Sequence, residues 1–152
     1  MGVGFGFAIA AQHLYPEKKV VCVVGDSAFG FSGMELETAA RYRLPLKIVV
    51  INNNGIVMGA EEIDEEATPK DINVFSLSPW AAYEKVSIAL GGKGRHVANH
   101  TDLRNAMQEM LADNNMWVIN CAISPFAGKK AQSFTWLTTS ESEEVKSPEP
   151  KL

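Results

Sequence analysis

The sequence predicts an α/β fold, a parallel sheet with flanking helices. Three observations predict it. Short β-branched runs recur along the chain and are separated by stretches with helical spacing, the pattern of βαβ units. Turn residues close the first two runs, at Gly25-Asp26-Ser27 and Asn52-Asn53-Asn54-Gly55. The 152 residues, 46% apolar and 21% charged, are enough for one packed domain of ordinary composition.

The elements follow in order. Met1 to Ala11 is apolar but lacks a basic leading region and is laced with Gly2, Gly4 and Gly6, which suits neither a signal peptide nor an anchor. Gly6 also breaks the myristoylation pattern, which needs Ser or Thr there. Lys19 to Val24 reads as a strand buried on both faces. Gly33 to Arg43 places Met34, Leu36, Ala39 and Ala40 among polar residues and reads as a helix stopped by Leu44-Pro45. Leu46 to Ile51 is the second buried strand. Ala60 to Ser78 is mixed and acidic and reads as a long loop with one short helical turn. Its carboxylates Glu61, Glu62, Asp64, Glu65 and Glu66 read as a solvated run rather than a metal patch.

Pro79 to Leu90 reads as a helix with Pro in its first turn and Gly91-Gly92 after its last. Arg95 to Ala98 is a short strand. Thr101 is expected to cap a helix running to about Asp113, with Leu103, Ala106, Met107, Met110 and Leu111 on one face. Trp117 to Ile123 is the last strand. Residues 1–139 form the expected domain, and 140–152, dominated by Glu, Ser, Pro and Lys, form an expected disordered tail.

Composition excludes several functions. Net charge is −4, from 14 basic and 18 acidic residues, so nucleic-acid binding is not expected. No run of 18 apolar residues exists, so no membrane-spanning helix is expected. Cys22 and Cys121 sit in apolar stretches and read as buried thiols, too few for a disulfide framework or a zinc site. His13, His96 and His100 are scattered. Gly91-Gly92-Lys93-Gly94 is followed by Arg95 and so fails as a phosphate-binding loop, while Gly2-Val3-Gly4-Phe5-Gly6 fails as a dinucleotide loop. Lys129-Lys130 reads as a solvated basic pair.

The chemistry concentrates at two strand ends, where ligands of open parallel sheets sit. Asp26 offers a carboxylate and Asn53 a neutral amide oxygen, and Gly55 lets the backbone turn a carbonyl inward. Three oxygen donors of low total charge suit Mg²⁺ better than zinc or iron. They leave positions for phosphate oxygens and a water. The small residues after Asp26 (Ser27, Ala28, Gly30) permit close approach of an anion. The two ends therefore make a plausible magnesium–diphosphate site. The spacing is equally compatible with Asp26 capping a helix and Asn52 to Asn54 only turning the chain.

Gly25-Asp26-Ser27, then 24 residues, then Asn52-Asn53 resembles the thiamine-diphosphate signature of Gly-Asp-(Gly/Ser), a mid-twenties interval, and Asn-Asn. The whole segment GDSAFGFSGMELETAARYRLPLKIVVINNNGI is similar to the 2-hydroxyacyl-CoA lyase and oxalyl-CoA decarboxylase group, and AQSFTWL at 131–137 to its lyase branch. The resemblance covers about residues 1–139. It implies a pyrophosphate-binding domain at the C-terminus of a much longer enzyme. By this resemblance Asp26, Asn53 and the Gly55 carbonyl would ligate Mg²⁺. Gly25, Ser27, Ala28 and Ile56 would line the thiamine diphosphate, with Met1 close to its thiazolium. The family has Tyr where this chain has Val57, a departure that removes an aromatic ring and a hydroxyl near the cofactor.

The implied activity is carbon–carbon cleavage of a 2-hydroxyacyl-CoA into formyl-CoA and an aldehyde, as in fatty-acid alpha-oxidation. Oxalyl-CoA decarboxylation and an inactive truncated domain are the alternatives. The resemblance also implies an acyl-CoA substrate and a homo-oligomer in the full-length form. The pyrimidine-binding domain, with its activating glutamate, has no counterpart here. The chain is therefore expected to be a fragment or short form that does not catalyse alone, with an apolar interface at Phe5, Phe7 and Phe29 left exposed. Pro150-Lys151-Leu152 resembles the peroxisomal Ser-Lys-Leu signal in its last two positions, so a peroxisomal location is expected, the cytoplasm otherwise.

Overall fold

The computed structural model describes residues 1–56, 66, 68–70 and 72–125. The chain runs α1 (Val3–Leu14), β1 (Val21–Gly25), α2 (Asp26–Ser32), α3 (Glu35–Arg41), β2 (Lys47–Asn52), α4 (Tyr83–Ala89), β3 (Lys93–Val97), α5 (His100–Ala112) and β4 (Trp117–Ala122). Among the described residues the strands form one sheet of order β1-β2-β4-β3, and every pairing is parallel. The expected parallel α/β architecture is thus the observed one.

Side-chain alternation divides the core into two layers. On one face Cys22, Ile48, Val50, Met116 and Val118 meet Phe5 and Ala8 of α1, Phe29 of α2, and Leu36 and Ala39 of α3, with Tyr83 and Val86 of α4 packed against them. On the other, Val49, Val97, Trp117, Ile119 and Cys121 meet Ala106 and Met110 of α5. Each fully buried aliphatic side chain contributes roughly 1.5–3 kcal/mol to holding the layers together. Cys22 and Cys121 are both buried thiols, as expected, and lie on opposite faces.

Several local expectations are corrected. β1 is buried on one face rather than two: Val21 is 39% and Val23 62% exposed, because α5 packs against β3 and β4 at the other side of the sheet. The glycine-laced N-terminal stretch is a helix. Glycines weaken it by about 1 kcal/mol each relative to Ala, but packing overrides propensity. A Cβ on Gly4 would already stand 3.3 Å from Val24 and 3.4 Å from Cys22, so the absent side chain lets α1 lie close on β1. The expected interface at Phe5 and Phe29 is not exposed: both are core residues, their rings edge-on at 5.5 Å, whereas Phe7 is 74% exposed.

The helix expected from Gly33 is preceded by a separate one, α2, and begins at Glu35. It ends in two backbone bonds, Arg43 N–H to Ala40 C=O at 3.0 Å and Leu44 N–H to Ala39 C=O at 2.8 Å, which are those of a Schellman cap. α4 begins at Tyr83 rather than near Pro79, which lies in the turn before it. Asn99, not Thr101, caps α5: its side-chain oxygen accepts from Asp102 N–H at 2.9 Å. The acidic run at 61–65, Val57, residues 126–139 and the expected tail at 140–152 lie outside the described residues.

Candidate functional site at the carboxyl ends of β1 and β2

β1 and β2 pair in register from Val21 beside Lys47 to Gly25 beside Ile51, so both chains leave the sheet at the same level. Asp26 follows at once on the β1 side and is 2% exposed. Its Oδ1 accepts from Ser27 N–H at 2.8 Å, and its Oδ2 accepts from Gly55 N–H at 3.1 Å. The carboxylate is therefore a bridge between the two strand ends. That is more than a helix cap: the residue before α2 is Gly25, with no side-chain cap bond.

The β2 side is a tight turn. Asn52 Oδ1 accepts from Asn54 N–H at 3.0 Å, and Asn54 stands in the left-handed region at φ 57°. A second strip of chain props the turn from outside. Leu77 N–H donates to Asn54 C=O and Ile56 N–H to Phe75 C=O, each at 2.8 Å, and Gly55 bridges Ser76 antiparallel. These bonds fix the heights of Asn53, half-buried, and Gly55, buried, opposite Asp26.

The expected site residues are therefore brought to one place. Asp26, Ser27 and Gly55 are joined by hydrogen bonds, and Ser27 Oγ donates to Met1 Sδ at 3.6 Å, which sets the exposed Met1 at the rim. Gly25, Ala28, Asn53 and Ile56 are half-buried around them. Two further groups were missed from the sequence. Tyr83 packs its ring on Phe29 at 5.2 Å, and burial, then the negative charge of Asp26, pushes its hydroxyl above the ordinary tyrosine value. Asn120, in the middle of β4, is 1% exposed and bonded to Asn52. The signal for it was a lone polar side chain inside the apolar run Trp117 to Ile123.

The donor set fits a hard divalent cation. Asp26 is a buried carboxylate, and among the described residues no lysine, arginine or histidine pairs with it. A carboxylate has about four acceptor sites; the two amide bonds leave the others open to a cation. Asn54 Oδ1 is buried in the same turn with no hydrogen-bond partner. No cluster of three or more His, Cys, Asp or Glu suited to a metal occurs among the described residues, and the oxygens this site could offer a metal are one carboxylate with amide and carbonyl oxygens. That is magnesium's preference rather than zinc's.

Residues 1–121 match the family model described as "Thiamine pyrophosphate enzyme, C-terminal TPP binding domain". 2-Hydroxyacyl-CoA lyase 1 of Homo sapiens is 44% identical over 151 residues, covering 92% of this chain and 26% of that protein. The Mus musculus protein of the same name is 43% identical with the same coverage, and oxalyl-CoA decarboxylase of Escherichia coli K12 is 38% identical over 90% of this chain and 24% of its own length. The chain thus spans about a quarter of the length of these relatives. The thiamine diphosphate-dependent 4-hydroxybenzoylformate decarboxylase of Rhodococcus jostii RHA1 shares the fold, with TM-score 0.66 at 22% identity over 82% of this chain and 23% of that one. The chain belongs to the thiamine pyrophosphate enzyme family, as its C-terminal cofactor-binding domain.

Proposed function

We propose that the two strand ends hold Mg²⁺ and, through it, the diphosphate of thiamine diphosphate, as part of a 2-hydroxyacyl-CoA lyase. The observation that carries this is the buried Asp26 carboxylate, tied to Gly55 and lacking a cationic partner among the described residues. Asp26 and the Asn53 side chain would ligate the metal, with the Gly55 carbonyl as third protein ligand. Gly25, Ser27, Ala28 and Ile56 would line the cofactor, and Met1 would cover its ring end. When bound, thiamine diphosphate would supply a thiazolium ring to act as the electron sink for cleavage of the substrate bond.

The residues of this chain do the holding. Asp26 would hold the metal that offsets diphosphate charge, and its two amide bonds fix the direction of its oxygens. The buried turn at Asn52 to Gly55 keeps its donors at a set height without reorganisation. Cleavage of a 2-hydroxyacyl-CoA to formyl-CoA and an aldehyde, the chemistry of fatty-acid alpha-oxidation, is supported by the relatives named 2-hydroxyacyl-CoA lyase at 43–44% identity. Decarboxylation of oxalyl-CoA is the second reading, supported by the relative at 38%. A peroxisomal address at Pro150-Lys151-Leu152 is a proposal on residues outside those described, tested by imaging a reporter that carries them.

The test is an assay of the chain with Mg²⁺ and thiamine diphosphate, alone and with a separately supplied pyrimidine-binding domain of a relative. Formyl-CoA and aldehyde from a 2-hydroxyacyl-CoA, formed once the second domain is added, support the lyase. Carbon dioxide from oxalyl-CoA with no aldehyde from the hydroxyacyl thioester supports the decarboxylase. No product from either substrate overturns both.

A further inference from the structure

A chain of buried polar side chains runs from α4 to the cofactor turn. Glu84 is 8%, Asn120 1% and Asn52 5% exposed. Asn120 Nδ2 donates to Glu84 Oε2 at 2.9 Å and to Ala81 C=O at 3.4 Å. Asn52 Nδ2 donates to Asn120 Oδ1 at 3.1 Å, and Asn52 Oδ1 accepts from Asn54 N–H at 3.0 Å. β4 and β2 are paired neighbours, and side-chain alternation turns Asn120 and Asn52 to the face that carries α4.

Resting on the reading that this turn holds the metal, we propose that Glu84, Asn120 and Asn52 are positioning residues: a relay that sets the turn carrying Asn53 and Gly55 without touching metal or cofactor. The polarity of the relay is fixed at its far end. Glu84 Oε2 is the acceptor at that end, 2.9 Å from Asn120 Nδ2. Glu84 therefore selects the orientation of Asn120 that points Nδ2 toward α4, which leaves Oδ1 for Asn52. Asn52 must then present Nδ2 to Asn120 and Oδ1 to the Asn54 amide. Rotating either amide by half a turn would set like atoms against each other at both of its ends. Packing alone gives no reason for this arrangement, since apolar side chains of similar shape fill such positions at little or no cost in stability. A defined height for the turn is what the polar version supplies.

The experiment uses the full chain, ¹⁵N-labelled. It reads amide hydrogen exchange at Asn54 and Gly55 in the cofactor-free chain, and Mg²⁺-dependent thiamine diphosphate affinity by calorimetry. Asn120→Asp places a carboxylate oxygen against that of Glu84. It is expected to speed exchange at Asn54 and Gly55 by about tenfold or more relative to strand amides such as Val49, and to weaken affinity by about as much. Adding Glu84→Gln supplies an amide donor to the new carboxylate and is expected to bring both readouts back to within about threefold. Glu84→Met, at the edge of the relay, serves if Asn120→Asp does not fold, with the same expected loss.

Wild-type exchange at Asn54 and Gly55 in every folded variant overturns the proposal. So does faster exchange with unchanged affinity, or a double variant no better than Asn120→Asp. Failure of the unmodified chain to bind thiamine diphosphate at any Mg²⁺ concentration overturns the cofactor reading instead, and the exchange measurement then decides the relay by itself.

Discussion

The Gly55 amide donates to the Asp26 carboxylate at 3.1 Å in a buried site, joining two strand ends that lie 29 residues apart in sequence. The other carboxylate oxygen accepts from the Ser27 amide at 2.8 Å, so both oxygens serve as acceptors. Asp26→Asn keeps one acceptor and sets its NH2 group against the other amide, and is expected to lower the Tm of the cofactor-free chain by several degrees, for about 1–3 kcal/mol lost. Circular dichroism melts in chelator check this. An unchanged or raised Tm would mean that the carboxylate does not bridge the two strand ends.

Arg43 holds a conformation better suited to glycine. It occupies the left-handed position of the Schellman cap at φ 54°, and its side chain is exposed. Arg43→Gly is expected to stabilise the chain by about 0.5–1 kcal/mol. Urea unfolding checks it, and a lower midpoint at unchanged slope would contradict the cap geometry.

Gly94 lets α4 lie close on β3. A Cβ there would meet the Glu84 carbonyl oxygen and stand 2.9 Å from both its carbonyl carbon and its Cβ. Gly94→Ala is expected to cost about 1–3 kcal/mol by pushing α4 outward. Because Glu84 moves with the helix, the same variant is expected to speed amide exchange at Asn54. Exchange confined to α4 and β3 would separate the packing effect from the relay.

Lys47 is fully buried at the start of β2, and its Nζ donates to the Asn115 carbonyl. Burial first, then repulsion from Lys19, lowers its pKa to about 8 from the ordinary 10.5. Between those values the unfolded chain binds the proton more strongly than the folded one, so this group's contribution to stability rises with pH across that window. Below about 8 the buried charge is a standing cost to the folded chain. The stability of the wild-type chain relative to Lys47→Met is expected to climb from pH 8 to 10.5. Parallel stability curves for the two proteins would contradict the shift.

Much of this was legible in the sequence, for identifiable reasons. The strands at Leu46 to Ile51 and Trp117 to Ile123 are continuous apolar runs, and both proved central in the sheet. The turn at Asn52 to Gly55 and the carboxylate at Asp26 stood out because they lie at the carboxyl ends of parallel strands, where ligands bind, and the family resemblance separated a site from a mere cap and turn. Helix α1 was hidden, because Gly4, which serves close packing on β1, and Gly6 depress the local helix signal. The open face of Val21 and Val23 was hidden too, since a β-branched run announces a strand and says nothing of what covers it. The Glu84–Asn120–Asn52 relay was beyond reach, since its members come from three elements that only the sheet order brings together.

The central claim is that Asp26 and Asn53 hold the metal through which thiamine diphosphate binds. Calorimetric titration of thiamine diphosphate into the chain, with Mg²⁺ and with chelator, and into Asp26→Ala and Asn53→Ala, tests it most directly. The account predicts binding that requires Mg²⁺, abolished by Asp26→Ala and weakened by about a hundredfold by Asn53→Ala, with the far-ultraviolet spectrum of each variant unchanged. Equal affinity in Asp26→Ala and the unmodified chain, or binding indifferent to Mg²⁺, would contradict it.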